Sequence, residues 1–163
     1  MVLDPTALAS DLAAVFASYP ATPKDSADGL AAAYYSYAQS ATFATSIPAI
    51  IPAKRDAMAA TLQAAIANPL VGLPATFAGA FAASVALFWA AVPVATVPSG
   101  IPAGATNGCP GAGGLTASLS LVFANPLNTA VTCAAGMAAA LQIATLTTTA
   151  TVAPPTGTIV PIT

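Results

Sequence analysis

The chain has 163 residues, of which 57% are hydrophobic and 5% are charged, and its formal net charge is −2. A typical soluble domain has about 25% charged residues, whereas every charge in this chain lies between Asp4 and Asp56. Free monomers keep themselves soluble with interspersed surface charge, so this composition predicts that most of the surface is covered by lipid or by other protein.

Internal similarity divides the chain into three parts. A shift of 57 residues places the A-N-P-L segment at 67–70 on the one at 124–127 and Gly79 on Gly136. A shift of 50 residues places Gly29 on Gly79. We therefore expect three tandem helix-turn-helix-strand repeats with pseudo-threefold symmetry. The predicted divisions are 1–53 for unit one, 54–103 for unit two, 104–113 for a flexible Gly-rich linker and 114–163 for unit three.

Each unit begins with a predicted pair of helices. The first is short and amphipathic, with apolar residues at helical spacing such as Leu8, Leu12 and Val15 in unit one. A proline ends each first helix, because the residue before proline is disfavoured in the α region. Pro20, Pro69 and Pro126 stand there. The second helices are predicted at 24–39, 75–91 and 130–146, and the shared glycines predict close approach of the first helix of the same unit.

Each unit ends in a β-branched, Thr-rich segment. These segments are "SATFATSIPAIIP", "AAVPVATVPSGIP" and "TLTTTATVAPPTGTIVP". Val, Ile and Thr favour strands, and the prolines remove ladder donors, which predicts short edge strands or extended arms. Such arms can pair with one another or add strands to neighbouring subunits, and the sequence leaves both open. The predicted fold class is mainly α with short β segments (α+β).

The inventory of reactive side chains argues against catalysis. The chain has no His and no Glu, and a nucleophile needs an adjacent base. Asp25 and Asp28 stand at i, i+3 spacing, which suits a cation, but a solvated start of a helix is the favoured interpretation. The segment 104–114 lacks the lysine and the spacing of a phosphate loop. We therefore predict no enzyme, no catalytic residue, no cofactor, no metal site and no small-molecule substrate.

The cations and the cysteines carry little information. Three cations form no basic stripe that would neutralise phosphates, so nucleic acid is not an expected partner. Lys54, Arg55 and Asp56 are predicted to form a solvated linker between units one and two. Cys109 and Cys133 are either two unpaired thiols or one disulfide, and the sequence does not decide between these.

Two clusters are candidates for contacts with other subunits. Tyr34, Tyr35 and Tyr37 stand at nearly equivalent places to Phe88 and Trp89, and such aromatic clusters are typical of a core or of a subunit interface. Threonines alternate along the last segment. The predicted interface residues are Tyr34, Tyr35, Tyr37, Phe88, Trp89, Thr149, Thr151 and Val152.

The uncharged run at 76–97 is long enough for a membrane span. Pro93 interrupts it and no basic residue flanks its far end, so a membrane or cell-envelope protein is the second interpretation rather than the first. At the amino terminus, Asp4 and Asp11 replace the basic region of a secretory signal, and no signal peptide is expected.

Unit one combines a Leu/Ala helix, an A-D-x-[IL]-A-type helix ending in Y-A, and a Thr-rich strand. The residues that carry this pattern are Ala27, Asp28, Gly29, Leu30, Ala31, Tyr37 and Ala38. In this pattern unit one resembles small virion structural proteins of tailed bacteriophages and related contractile particles. The resemblance implies a structural subunit whose partners are protein subunits of the same or a neighbouring type. We expect a virion location at the tail, neck, baseplate or capsid surface, with an extracellular filament or surface layer as a further alternative.

Overall fold

The computed structural model describes residues 3–43, 46–68, 74–96, 102–152 and 158–162. Within these ranges the chain forms six helices in three pairs, with strands following each pair. The helices are α1 (Pro5–Ala17), α2 (Pro23–Gln39), α3 (Pro52–Ala67), α4 (Pro74–Trp89), α5 (Ala112–Ala124) and α6 (Ala130–Thr145). The strands are β1 (Ser46–Pro48), β2 (Ala90–Thr96), β3 (Pro102–Asn107), β4 (Thr149–Val152) and β5 (Thr158–Pro161). The predicted α+β class is confirmed.

Local chemistry explains where the helices begin. The side chains of Asp4, Thr22 and Thr129 accept hydrogen bonds from backbone N–H groups in the first turns of α1, α2 and α6, which satisfies donors that a helix start leaves unpaired. Several helices also have proline in their first turn, where the missing N–H costs nothing. The predicted second helices agree with the observed ones to within two residues at each end.

The six helices close into a ring. Each helix packs against the next one along the chain, and α6 packs against α1. Contacts between successive pairs are as extensive as those within a pair; for example, the rings of Phe77 in α4 and Phe123 in α5 lie 5.2 Å apart. Since strands follow the second helix of each pair, the sheet lies at one end of the ring. The described turns within the first and third pairs, at 18–22 and 125–129, lie at the other end.

Two of the three shared glycines sit where a side chain would collide with the partner helix. A Cβ on Gly29 would lie 3.0 Å from Val15 of α1, and one on Gly136 would lie 2.9 Å from Val122 of α5. The prediction of close approach is confirmed at both. It is wrong for Gly79, where a Cβ would meet only Thr116 of α5, at 4.0 Å.

The strands form one antiparallel sheet in the order β1-β2-β3-β4-β5. The Thr-rich segments of the three units therefore pair with one another within the chain. The prediction of edge strands or arms is wrong for β2, which lies inside the sheet although it contains Pro93. The ladder shifts register between Ala90 and Pro93, and Ala91 there has a φ of 52°. A bulge of this kind accommodates the missing donor.

The predicted Gly-rich linker at 104–113 is also wrong, because it supplies most of β3 and the start of α5. Gly104 pairs with Val152 and has a φ of 148°. A Cβ there would lie 1.8 Å from the carbonyl oxygen of Thr151. Glycine is thus required for the close approach of β3 to β4. The predicted division at 53/54 likewise falls inside the first turn of α3.

Both edges of the sheet are poorly suited to pairing with a further strand. On the outer side of β1, the N–H and C=O of Ser46 are hydrogen-bonded to Phe43 at 2.8 and 2.7 Å, and Pro48 has no N–H. On β5, the N–H of Ile162 donates to the carbonyl of Thr148, so the backbone N–H groups of Val160 and Ile162 point toward β4 and those of the residues between them point away. Ile159 and Pro161 then face outward, and only Ile159 offers a donor. Proline on edge strands limits edge-to-edge association.

The predicted span at 76–97 falls on two elements, because α4 ends at Trp89 and β2 begins at Ala90. Among the described residues, no helix combines the length and the apolar character that crossing a membrane requires. Pro69, which was predicted to end the first helix of unit two, lies outside the described residues.

Candidate assembly surface

Most of the predicted aromatic interface lies in the core. Tyr34 and Trp89 are 0% exposed, Phe88 is 1% exposed and Tyr37 is 5% exposed. Tyr34 and Phe88 pack edge to face with ring centroids 5.2 Å apart. In the folded chain these four side chains have almost no surface to offer to another subunit. Of the two interpretations drawn from the sequence, the core is where the structure places them.

A buried hydrogen-bonded cluster joins the three helix pairs at the sheet end. The indole N–H of Trp89 in α4 donates to the hydroxyl of Tyr34 in α2 at 2.8 Å, and that hydroxyl lies 2.8 Å from Oγ1 of Thr145 in α6. Burial raises the pKa of Tyr34, so the phenol stays protonated. The hydroxyl of Thr106 in β3 donates to the carbonyl of Trp89. The cluster fixes the mutual position of the pairs and the sheet.

The other two tyrosines differ from Tyr34 and from each other. The hydroxyl of half-buried Tyr35 donates to the carbonyl of Ile50 at 3.2 Å. The buried hydroxyl of Tyr37 has no hydrogen-bond partner among the described residues. Burial raises the pKa of Tyr37, and the negative charge of Asp4 adds to the shift.

The three predicted interface residues of β4 lie on an inner strand, because β4 pairs with β3 on one side and with β5 on the other. The hydroxyl of Thr151 donates to the side-chain oxygen of Asn107 at 2.9 Å, and the Asn107 amide donates to Thr149 at 3.4 Å. Thr149 and Thr151 are therefore on the outer side of the sheet and only partly exposed, while Val152 packs against the core. Their hydroxyls are engaged within the chain.

The charges lie on α1, α2 and α3 or, for Asp4, directly before α1, and half of the eight form ion pairs. Lys24 forms an ion pair with Asp28, and Arg55 forms one with Asp56 at 2.7 Å. These four line a groove of about 330 Å³ between α2 and α3. The hydrogen bond to Asp28 raises the pKa of Lys24, and that to Asp56 raises the pKa of Arg55. Exposed pairs of this kind contribute little stability.

The predicted linker at Lys54, Arg55 and Asp56 is wrong, because all three residues belong to α3. The ammonium of Lys54 donates to the carbonyls of Leu87, at 3.2 Å, and Ala90, at 2.5 Å. These are carbonyls that the end of α4 leaves without helical partners, and a cation there is also favoured by the helix dipole. Lys54 therefore fastens α3 to the end of α4.

Both cysteines are free thiols. Cys109 is buried, and its Sγ lies 3.1 Å from the carbonyl of Ala144. Cys133 is half-buried, which raises its pKa and disfavours the thiolate. Within the described parts of the chain, no three Asp or Cys side chains come together as a metal site would require.

Each of the three helices without charge exposes at least one large apolar side chain. Leu87 of α4 is 61% exposed, Leu121 of α5 is 76% exposed, and Val131 and Ile143 of α6 are 68% and 71% exposed. We call the outward surface of α4, α5 and α6 that bears these four side chains the uncharged face. The charged helices α1 to α3 have no exposed large apolar residue within their described bounds. The ring therefore has two chemically different sides.

Sequence reasoning missed these four residues individually, although the loss of charge after Asp56 predicted a covered surface. The available signal was the helical period. Leu87, Leu121 and Ile143 fall outside the helical pattern of the buried residues on their helices. Val131 gives no such signal, because it lies three residues before buried Ala134.

Comparison of the chain with protein-family models, with curated proteins and with solved structures found no match.

Proposed function

We propose that this protein is a non-enzymatic structural subunit of a large assembly, and that the uncharged face is buried against neighbouring subunits of the same or another type. The observation that carries the proposal is the two-sided ring. All charges lie on or before α3, whereas α4 to α6 expose Leu87, Leu121, Val131 and Ile143. Covering these side chains would remove apolar surface from water, which is favourable.

The expected energies favour several neighbours over one. Full burial of a large apolar side chain contributes about 1.5–3 kcal/mol, so the four on the uncharged face, which are 61–76% exposed, would contribute about 4–8 kcal/mol. Association of two bodies costs roughly 4–15 kcal/mol in lost freedom. A single such contact is therefore marginal, and a subunit held by several neighbours at once is stable. Because both edges of the sheet are poorly suited to pairing with a further strand, these contacts would use side chains rather than added strands.

The proposal includes a threefold repeat of one helix-turn-helix-strand unit. The shifts that align the units also place Val15 on Ala65 and Val122, and the glycines that face these residues are themselves aligned. The valines contact their glycines, whereas the smaller Ala65 explains why Gly79 meets no such neighbour. The closing contact between α6 and α1 supports a cyclic arrangement. Three similar units suit a position of local threefold symmetry.

The type of assembly we propose is the virion of a phage or a phage-like particle. The support is the resemblance of unit one, in which five of the seven matching residues are buried in the ring, namely Ala27, Leu30, Ala31, Tyr37 and Ala38. They would specify the packing of the unit rather than a binding site. The position within the particle would then depend on the outward residues, which differ between the units.

The test places charge on the uncharged face. We expect the double variant Leu121→Lys, Ile143→Lys to keep the helical circular dichroism and thermal stability of the parent chain, because both side chains are exposed. Light scattering and sedimentation should show that it no longer associates at concentrations where the parent does. Gln63→Lys, on the exposed side of α3, is the matched control and should associate normally. Equal association of the double variant and the parent would contradict the proposal.

A further inference from the structure

Tyr19 has a backbone conformation that its side chain makes unfavourable. It follows the last turn of α1, where its N–H bonds to the carbonyl of Phe16 at 3.4 Å, and its φ is 45°. Glycine is the usual residue at this position after a helix. A side chain in the left-handed region costs roughly 1–2 kcal/mol. The fold alone would therefore be more stable with glycine at this position.

The aromatic ring of Tyr19 is not packed against the rest of the folded chain. Every aromatic residue of the sequence lies in a described range, and Tyr19 alone is exposed, at 87%. A strained residue whose side chain is free suggests a role outside the fold. Aromatic side chains of this kind are frequent anchors in protein contacts, where the ring enters a pocket and the hydroxyl finds an acceptor.

The same helix pair contains a groove with the matching chemistry. The groove lies between α1 and α2 and has a volume of about 330 Å³. Its lining includes small residues, such as Ala14, Ala32 and Ala33, together with the carboxylate of Asp11 and the hydroxyl of Ser36. Among the ion pairs of the described residues, none involves Asp11. The groove thus combines an apolar floor with an acceptor that has no competing cation.

The neighbouring grooves match a phenol less well. The groove between α2 and α3 has carboxylates, but Asp28 and Asp56 are paired with Lys24 and Arg55. The groove between α1 and α6 is lined by residues such as Ala9, Ala135 and Gln142 and has no carboxylate. A strong hydrogen bond from a phenol is best made to a charged acceptor. The groove between α1 and α2 is therefore the better receptor for Tyr19.

We infer that two copies of this chain associate through α1 and α2, each inserting Tyr19 into the α1–α2 groove of the other. The hydroxyl of Tyr19 in one copy donates to Asp11 of the other copy. Asp11 and Tyr19 are separated by about 12 Å along the helix direction at 1.5 Å per residue. Val15 lies midway between them along the chain, so a twofold axis near Val15 brings Tyr19 of each copy to Asp11 of the other. Ala14 and Ser18, which are exposed between them, are small enough for the helices to approach.

This contact lies on the charged side of the ring and does not depend on the uncharged face. The full-length chain carrying Leu121→Lys and Ile143→Lys is therefore the suitable parent for the test, because it removes the other proposed contact. If assembly through the uncharged face fails but this parent still dimerises, the failure belongs to the proposed function alone. If assembly occurs but the parent stays monomeric at every concentration, the inference about Tyr19 is overturned.

The first experiment measures dimerisation by sedimentation velocity. In this parent, Tyr19→Gly should weaken the dimer by about tenfold or more, as for an anchor residue, and should raise the melting temperature of the dilute monomer by removing the strained φ. Asp11→Ala should weaken the dimer without that rise. Leu127→Ser, which alters the 87% exposed residue of the α5–α6 turn, should leave the dimer unchanged. An unchanged dimer in Tyr19→Gly overturns the inference.

The second experiment determines which residues meet by complementation. In the same parent, a dimer of one Asp11→Ala chain and one Tyr19→Gly chain keeps one intact contact between Tyr19 of the first chain and Asp11 of the second. An equimolar mixture of the two variants should therefore dimerise more tightly than either variant alone. If the mixture is no tighter than the variants alone, Tyr19 and Asp11 do not meet across the dimer and the inference is overturned.

Discussion

The first and third helix pairs have the same interior and different exteriors. In both pairs a glycine of the second helix meets a valine of the first, Gly29 with Val15 and Gly136 with Val122. Their outward surfaces differ, since α1 and α2 bear charged residues whereas α5 and α6 bear none. The buried residues determine how the pair folds, and the outward residues determine what it contacts. The two properties should therefore respond to different substitutions.

The largest loss of stability is expected where the pairs are joined. Tyr34→Phe removes the acceptor of the Trp89 indole and the partner of the Thr145 hydroxyl. Leaving buried polar groups unpaired costs about 1–3 kcal/mol each, so the free energy of unfolding should fall by about 3 kcal/mol. Tyr37→Phe removes a hydroxyl without a partner among the described residues and should change it by less than about 0.5 kcal/mol. Equal effects in urea denaturation would contradict the role of the cluster.

The shared interior of the first and third pairs can be tested with one substitution made twice. Gly29→Leu and Gly136→Leu both force a side chain against a valine 3 Å away or closer. Overpacking of this kind costs about 1–3 kcal/mol, and the two losses should agree within about 0.5 kcal/mol. Thermal denaturation of both variants is the measurement. A loss at one position without a loss at the other would show that the pairs do not share their packing.

A smaller effect is expected at the contact between the charged and uncharged sides. Lys54→Met keeps the length of the side chain and removes the donor to the carbonyls of Leu87 and Ala90. Helix-end cations contribute about 0.3–1 kcal/mol, and the melting temperature should fall accordingly. Arg55→Gln, which breaks only an exposed ion pair, is the control and should have almost no effect.

The smallest effect should be a gain. Gly79 lies in α4, and a methyl group added to its Cα would have its nearest outside neighbour 4.0 Å away, on Thr116. Gly79→Ala therefore adds helix propensity without a collision and should stabilise the chain by about 0.5–1 kcal/mol. Gly136→Ala, where the contact is 2.9 Å, should gain less or lose stability. A destabilising Gly79→Ala would show that the second pair is packed like the other two.

Local signals predicted the helices well and the sheet poorly. Proline stops and helical spacing act within one turn, so the bounds of α2, α4 and α6 could be predicted closely. The partner of Gly104 is Val152, which is far away in sequence, and nothing near Gly104 distinguishes a strand from a linker. Lys54 was misjudged for the same reason, because its acceptors come from α4. The burial of Trp89 could not be separated from an interface, since both environments select the same residue.

The central claim is that the uncharged face is covered in the assembled state, and radical footprinting read by mass spectrometry tests it most directly. Side chains are labelled in the native assembly and in the dispersed chain, and the two are compared. The account predicts strong protection of Leu87, Leu121, Val131 and Ile143 on assembly, with little change at Gln63 on α3. Equal labelling of these four residues in both states, or protection at α3 instead, would contradict it.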